Sequence, residues 1–415
     1  MHSSFLILCA AGGFAIFSST MSKTPVLPLF ADSLGAAPQT VGLIAAAATV
    51  VGILTSAPVG LLSDYIGRKK IILAAGFVFA SAPFLYYLVR TPGQLAALRL
   101  YHGFATAIFG PVALAFVADM FSAHRAEKMG WFSSATLIGR FIAPLLGGFL
   151  IVKFDFKTTY LFCGIFGIIA LALLIFLPGT ASGSVFGFFF NPKSKTCPER
   201  SRRIQNPKSN GSGKRFDLNG LMKEFKDLFT NGPLIVTSAC DAALYFAFGA
   251  VETFFPLYAI KNGMNAGEVG VLFSAQILTI AFSKPLMGRM SDRYGRKGAI
   301  IIGLTLGAVA VACVALVEQF VIIALVLIAF GFAMSIVTAS TAALAADLSR
   351  KGTHGSSMGL LSSIMDVGHA SGPVVAGIIV AASGYKTSFA VAAAVMLAAI
   401  LPFSFLVHKE SAEPS

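Results

Sequence analysis

The feature that most constrains this chain is a series of twelve apolar runs, at 5–31, 39–62, 71–89, 94–118, 130–152, 159–178, 233–260, 267–290, 299–317, 320–346, 356–382 and 386–407. A bilayer core is roughly 30 Å thick and a helix rises about 1.5 Å per residue, so about 20 apolar residues make one crossing. Lipid offers no water to backbone N–H and C=O groups, so each run must close its own hydrogen bonds as a helix. Only 12% of the residues are charged, against about a quarter in a water-soluble domain. The expectation is an all-α membrane protein with twelve transmembrane helices. No Lys or Arg precedes the first run, which exceeds the length of a signal peptide core and reads as a retained span.

The net charge of +13 raises the possibility of nucleic-acid partners, so its distribution matters. If the N-terminus is cytoplasmic, 22 Lys and Arg fall on the cytoplasmic side and five on the other. The positive-inside rule then puts both termini in the cytoplasm of a cell whose inner membrane the chain spans. Lipid, not nucleic acid, is the expected partner of this charge. The five cysteines, Cys9, Cys163, Cys197, Cys240 and Cys313, are scattered without a C-x-x-C pair, which argues against a disulfide framework or a metal site.

The runs divide into units at 1–179 and 233–408, separated by a polar, basic linker at 180–232 and followed by a cytoplasmic tail at 409–415. Within the linker, Phe216, Leu218, Leu221, Met222, Phe225, Leu228 and Phe229 recur at helical spacing, predicting an interfacial amphipathic helix over about 216–229.

The two units are copies. Gly60-Leu-Leu-Ser-Asp64-Tyr-Ile-Gly67-Arg68-Lys69 recurs as Gly288-Arg-Met-Ser-Asp292-Arg-Tyr-Gly295-Arg296-Lys297, an offset of 228. Pro28 meets Pro256 and Asp119 meets Asp347 at the same offset; at 229, Pro144 meets Pro373. Two like-oriented six-helix units suit a central cavity exposed to alternate sides as one unit rocks against the other.

These paired segments resemble the signature loop of the major facilitator superfamily, and the resemblance covers the whole chain. It implies a secondary transporter with two pseudo-symmetric six-helix bundles, not an enzyme. It also implies a cytoplasmic gate in which Gly60, Asp64, Gly67, Arg68 and Asp119, repeated as Gly288, Asp292, Gly295, Arg296 and Asp347, hold the outward-facing state. Lys69, Lys70 and Lys297 read as surface anchors. Span 5 carries Gly130, Gly139, Ala143-Pro144 and Gly147-Gly148, similar to a glycine-proline motif of the drug:proton antiporter branch, with alanine where glycine is usual. Span 11 echoes it with Gly359, Gly368, Gly372-Pro373 and Gly377. Small residues at this spacing permit close helix contact, and proline bends a span.

Ionisable residues inside spans are functional candidates. Arg140 on span 5 aligns with His369 on span 11, so the two are expected to face each other across the pseudo-twofold axis, with Asp366 available to either. Glu252 on span 7 aligns with Thr24, beside Lys23, so Lys23 and Glu252 are expected to meet near the outer mouth of the cavity. Similar transporters carry an acidic residue in span 1 that this chain lacks, which leaves Glu252, Asp366 and Asp241 as alternative proton carriers. Arg99 stands in a segment similar to the family's L-x-x-x-R-x-x-x-G element. It is either a participant in proton movement, as in similar transporters, or a headgroup anchor. Lys284 reads as snorkelling to the cytoplasmic face, and His102 as a packing residue.

No G-x-x-x-x-G-K-[ST] loop is present, so an ion gradient, protons foremost, is the expected driving force, with no cofactor. The expected activity is proton-coupled export of a small organic molecule by a monomer. Uptake by symport is the runner-up, and a receptor or assembly factor that has lost transport is the remote alternative.

Overall fold

A computed structural model describes residues 2–121, 124–177, 230–349 and 354–407. The linker from 178 to 229 with its expected amphipathic helix, the tail beyond 407, and the side chains of Gly60 and Asp64 lie outside the described residues. The first unit comprises α1 (His2–Met21), α2 (Val26–Ser33), α3 (Pro38–Ile66), α4 (Arg68–Tyr86), α5 (Pro92–Met120), α6 (Arg125–Lys153) and α7 (Phe156–Ile175). The second comprises α8 (Gly232–Lys261), α9 (Ala266–Tyr294), α10 (Arg296–Val314), α11 (Phe320–Asp347) and α12 (His354–Leu406).

Local chemistry explains where these helices begin. The first amides of a helix lack an intrahelical acceptor. Thr91, Asp155 and Asn231 supply one by accepting from Gln94 N, Thr158 N and Leu234 N at the starts of α5, α7 and α8. At α9, Asn265 and Glu268 form a reciprocal capping box. Gly67 and Gly295, with φ of 102° and 96°, turn α3 into α4 and α9 into α10 in a backbone conformation that L side chains avoid. Both turns lie at one end of the bundle, together with the chain's outermost described residues; we call this the basic end.

Two elements correct the sequence reading. The first span is not continuous. Pro25 and Pro28 carry no N–H, and α1 stops at Met21, with Ser22 to Pro25 forming a break before α2. Conversely, α12 runs through what were expected as spans 11 and 12. Gly384, at φ 86°, is the turn between its limbs, and Ser388 Oγ donates to Ala376 O across that turn. The limbs therefore run side by side, and the crossings among the described residues number twelve.

Within each unit, small residues set the packing. A Cβ on Gly139 would strike the Gly13 carbonyl of α1, and one on Gly147 would press on Met21 and Val26. On α12, Gly368, the equivalent of Gly139, and Gly372, the equivalent of Ala143, abut the carbonyls of Ala242 and Phe246 on α8. Gly130 and Gly359 face open space, so the motif is not a packing surface along its whole length.

Between the units the approaches are all at the end away from the basic turns. Gly42 of α3 lies against the Pro373 carbonyl, and Gly377 of α12 against that of Pro38. Gly148 of α6 meets Ala266 O and Gly270 of α9 meets Pro144 O, while Ser274 Oγ donates to Phe141 O at 2.8 Å. The hydrogen bonds and close glycine contacts that join the units at Gly42, Gly148, Gly270, Gly377, Thr24 and Ser274 lie in this closed end. The bundle is open toward the basic end.

Candidate functional site

The break in the first span places two polar side chains at the floor of the cavity. Lys23 Nζ pairs with Glu252 Oε2 of α8 at 2.7 Å, and Thr24 Oγ1 donates to Glu252 Oε1 at 2.8 Å. His369 Nε2 lies 3.3 Å from the same Oε2. Its ring stacks on Phe248 and meets Tyr245 edge-on. Glu252 is thus held by both units at once: Lys23 and Thr24 from the first, His369 from its own. The Glu252 side chain is only 13% exposed, and three partner atoms, Lys23 Nζ, Thr24 Oγ1 and His369 Nε2, answer its charge and lone pairs as a buried carboxylate requires.

Sequence alignment of the halves brought Lys23 and Glu252 together. It did not bring in His369, which was paired by symmetry with Arg140. Arg140 is exposed and Asp366 is half-buried, and neither makes a hydrogen bond or ion pair among the described residues. Both act electrostatically on the buried phenol of Tyr245, as does Asp241. These groups therefore share one region of the cavity, nearer the open end than Glu252.

Asp241 is 3% exposed and accepts from Thr341 Oγ1 of α11 at 3.1 Å. Lys284 is exposed and makes no ion pair with Asp241 among the described residues, as its snorkelling reading allows.

Arg99 is 3% exposed, so it is not a headgroup anchor. It points into the first unit, where Nη1 donates to the Tyr86 hydroxyl at 3.5 Å; that hydroxyl lies 3.3 Å from His102 Nδ1. Tyr86 stacks on Tyr160, ring centroids 4.4 Å apart.

At the basic end, Arg68 pairs with Asp119, and Arg296 with both Asp292 at 3.3 Å and Asp347 at 2.5 Å. These pairs stay within their own units. The two lysines read as surface anchors have a further role. Lys69 donates to the Leu177 carbonyl, and Lys297 to those of Ser404 and Val407, at 2.7 and 2.5 Å. Each caps the carbonyl end of the last helix of its unit, where unsatisfied acceptors and the helix dipole favour a cation. The repeat offset of 228 between the lysines was the available signal for this shared role.

The chain is similar to known proteins along its length. An uncharacterised MFS-type transporter of Methanocaldococcus jannaschii is 25% identical over 374 residues, covering 88% of this chain and 89% of that one. Multidrug resistance protein 2 of Bacillus subtilis is 23% identical, with coverage of 90% and 88%. Among solved structures, the nucleoside transporter NupG superimposes with a TM-score of 0.78 at 14% identity, covering 97% of this chain and 98% of its own. The family description Major Facilitator Superfamily matches residues 8–265 and 237–415. With its duplicated six-helix units and this match along both, the chain belongs to the major facilitator superfamily and is a multi-pass membrane transporter.

Proposed function

We propose that the protein exports a small organic molecule in exchange for protons, and that Glu252 carries the coupling. The observation behind this reading is the bridge of Lys23 and Thr24 to Glu252 at the closed end. Opening that end requires the two units to part there, which separates Lys23 from Glu252. A partly buried ion pair resists separation because each charge loses its partner. An unloaded carrier with ionised Glu252 is therefore held shut at this end. A proton on Glu252 removes one charge and releases the tie. Cargo that brings its own charge to Lys23 does the same, so either passenger, but not an empty deprotonated carrier, crosses.

With the basic end in the cytoplasm, as the charge distribution favours, the described form receives cargo from inside. Arg140, exposed in the cavity, together with Lys23 and His369, suits an anionic or zwitterionic amphiphile. The likeness to a multidrug resistance protein supports export. The test is purified protein in sealed vesicles with a fluorescent amphiphilic anion: an imposed pH gradient is expected to drive cargo against its concentration difference, moving it opposite to the protons. Flux indifferent to the gradient would remove proton coupling, and flux in the same direction as the protons would replace export by uptake.

In the alternate form, closed at the basic end, Arg68, Asp119, Arg296 and Asp347 come into reach of the opposite unit and act as its gate. Arg68→Gln is expected to slow turnover about tenfold, the equivalent of roughly 1.4 kcal/mol, at unchanged expression in the membrane. Undiminished turnover in this variant would argue that the pair only caps its own unit.

A further inference from the structure

We propose that the first unit contains a binding site for a small monovalent anion, chloride being the simplest, at Arg99, His102 and Tyr160. This site is separate from the transport cavity. Arg99 sits seven residues into α5, about 10 Å from the closed end, and carries a permanent charge at 3% exposure. It forms no ion pair with any carboxylate among the described residues. A buried charge without a counter-charge is costly.

The surrounding hydrogen bonds have a direction. Tyr86 accepts from Arg99 Nη1, so its own proton goes to His102 Nδ1. His102, accepting at Nδ1, is then the neutral tautomer with its hydrogen on Nε2. Three buried polar atoms of the cluster are left without a protein partner: Arg99 Nε, His102 Nε2 and the Tyr160 hydroxyl. The two nitrogens are donors by this assignment, and the hydroxyl can donate. A water molecule could accept from the two nitrogens and donate to the hydroxyl, but it would leave the guanidinium charge unbalanced. An anion accepts from all three and balances the charge. A crevice of about 300 Å³ between α4 and α5, lined by Leu85, Leu88, Val89, Gln94 and Leu98, lies at the same end of α5 as Arg99, which follows Leu98 in the chain. Bound there, the anion joins α4, α5 and α7 through Tyr86, Arg99 and Tyr160, and stiffens the unit that rocks.

The experiment is thermal unfolding of the purified full-length protein in detergent as chloride replaces gluconate at constant ionic strength. A saturable rise of the midpoint is expected, with bromide substituting for chloride. Arg99→Gln is expected to weaken the apparent chloride affinity by at least about tenfold, and Tyr160→Phe by about three- to tenfold, since each loses a charge-assisted hydrogen bond. In gluconate, Tyr160→Phe should melt at or above the wild-type temperature, because it removes a buried hydroxyl that has no protein partner. If Arg99→Gln does not fold, Tyr160→Phe alone decides. Equal midpoints in chloride and gluconate for the wild type, or a chloride response unchanged in Tyr160→Phe, would overturn the site.

Discussion

Replacing Gly42 by leucine is expected to wedge the two units apart at the closed end and to lower transport by about 100-fold, roughly 3 kcal/mol against the closed form. The α3 backbone at Gly42 rests on the main-chain carbonyl of Pro373, and a single Cβ would already overlap it. A flexible side chain could move aside, but a carbonyl inside a helix cannot without breaking its neighbours' hydrogen bonds. The leucine therefore penalises one conformation and leaves the other untouched, so insertion and folding persist while the equilibrium shifts. Spin labels at Ser33 and Ser383, one on each unit at that end, should report a longer separation. Gly130→Leu is the control, because a Cβ there meets nothing within 4 Å. If Gly42→Leu transports at the wild-type rate, the contact is not part of the cycle.

The second large effect concerns the bridge. Lys23→Met leaves Glu252 with Thr24 and His369 only, and a partly buried carboxylate deprived of its cation is expected to cost roughly 3 kcal/mol. Lys23→Met combined with Glu252→Leu should recover most of that loss, because an apolar pair needs no counter-charge. The sum of the single effects and the double-mutant value must then differ, and additivity would show that the two side chains are energetically independent. Transport separates the bridge from mere stability. Glu252→Gln resembles the protonated state permanently, so downhill movement of cargo should continue while accumulation against a gradient disappears. Retained pH-driven accumulation in Glu252→Gln would move the proton to Asp366 or Asp241.

How much of this was legible in the sequence follows from what side chains reveal in lipid. Span number and duplication were readable because backbone satisfaction in hydrocarbon forces length, and the repeated Gly, Pro and Asp positions force symmetry. The meeting of Lys23 with Glu252 was readable from the same offset. The direction of Arg99 was not, because α5 is apolar on every face and its pattern carries no phase to say which side faces lipid, cavity or bundle interior. The contact of His369 with Glu252 was missed for a related reason. Internal symmetry relates positions, but which neighbour a side chain reaches depends on whether the units are tilted open or shut. The break at Ser22 to Pro25 had a visible signal in Pro25 and Pro28, outweighed by the hydrophobicity of the run around them.

The four close approaches at Gly42, Gly377, Gly148 and Gly270 are made by main chain against main chain. A bearing built this way is indifferent to most of the side chains around it. The cavity wall facing the open end can be rewritten, residue by residue, without disturbing the surface on which the machine turns. Selection for a new cargo and preservation of the motion are thereby assigned to different parts of the same helices, since α6 and α12 carry both bearing glycines and cavity residues such as Arg140 and His369. Divergence of cargo among such transporters need not retune the mechanics each time.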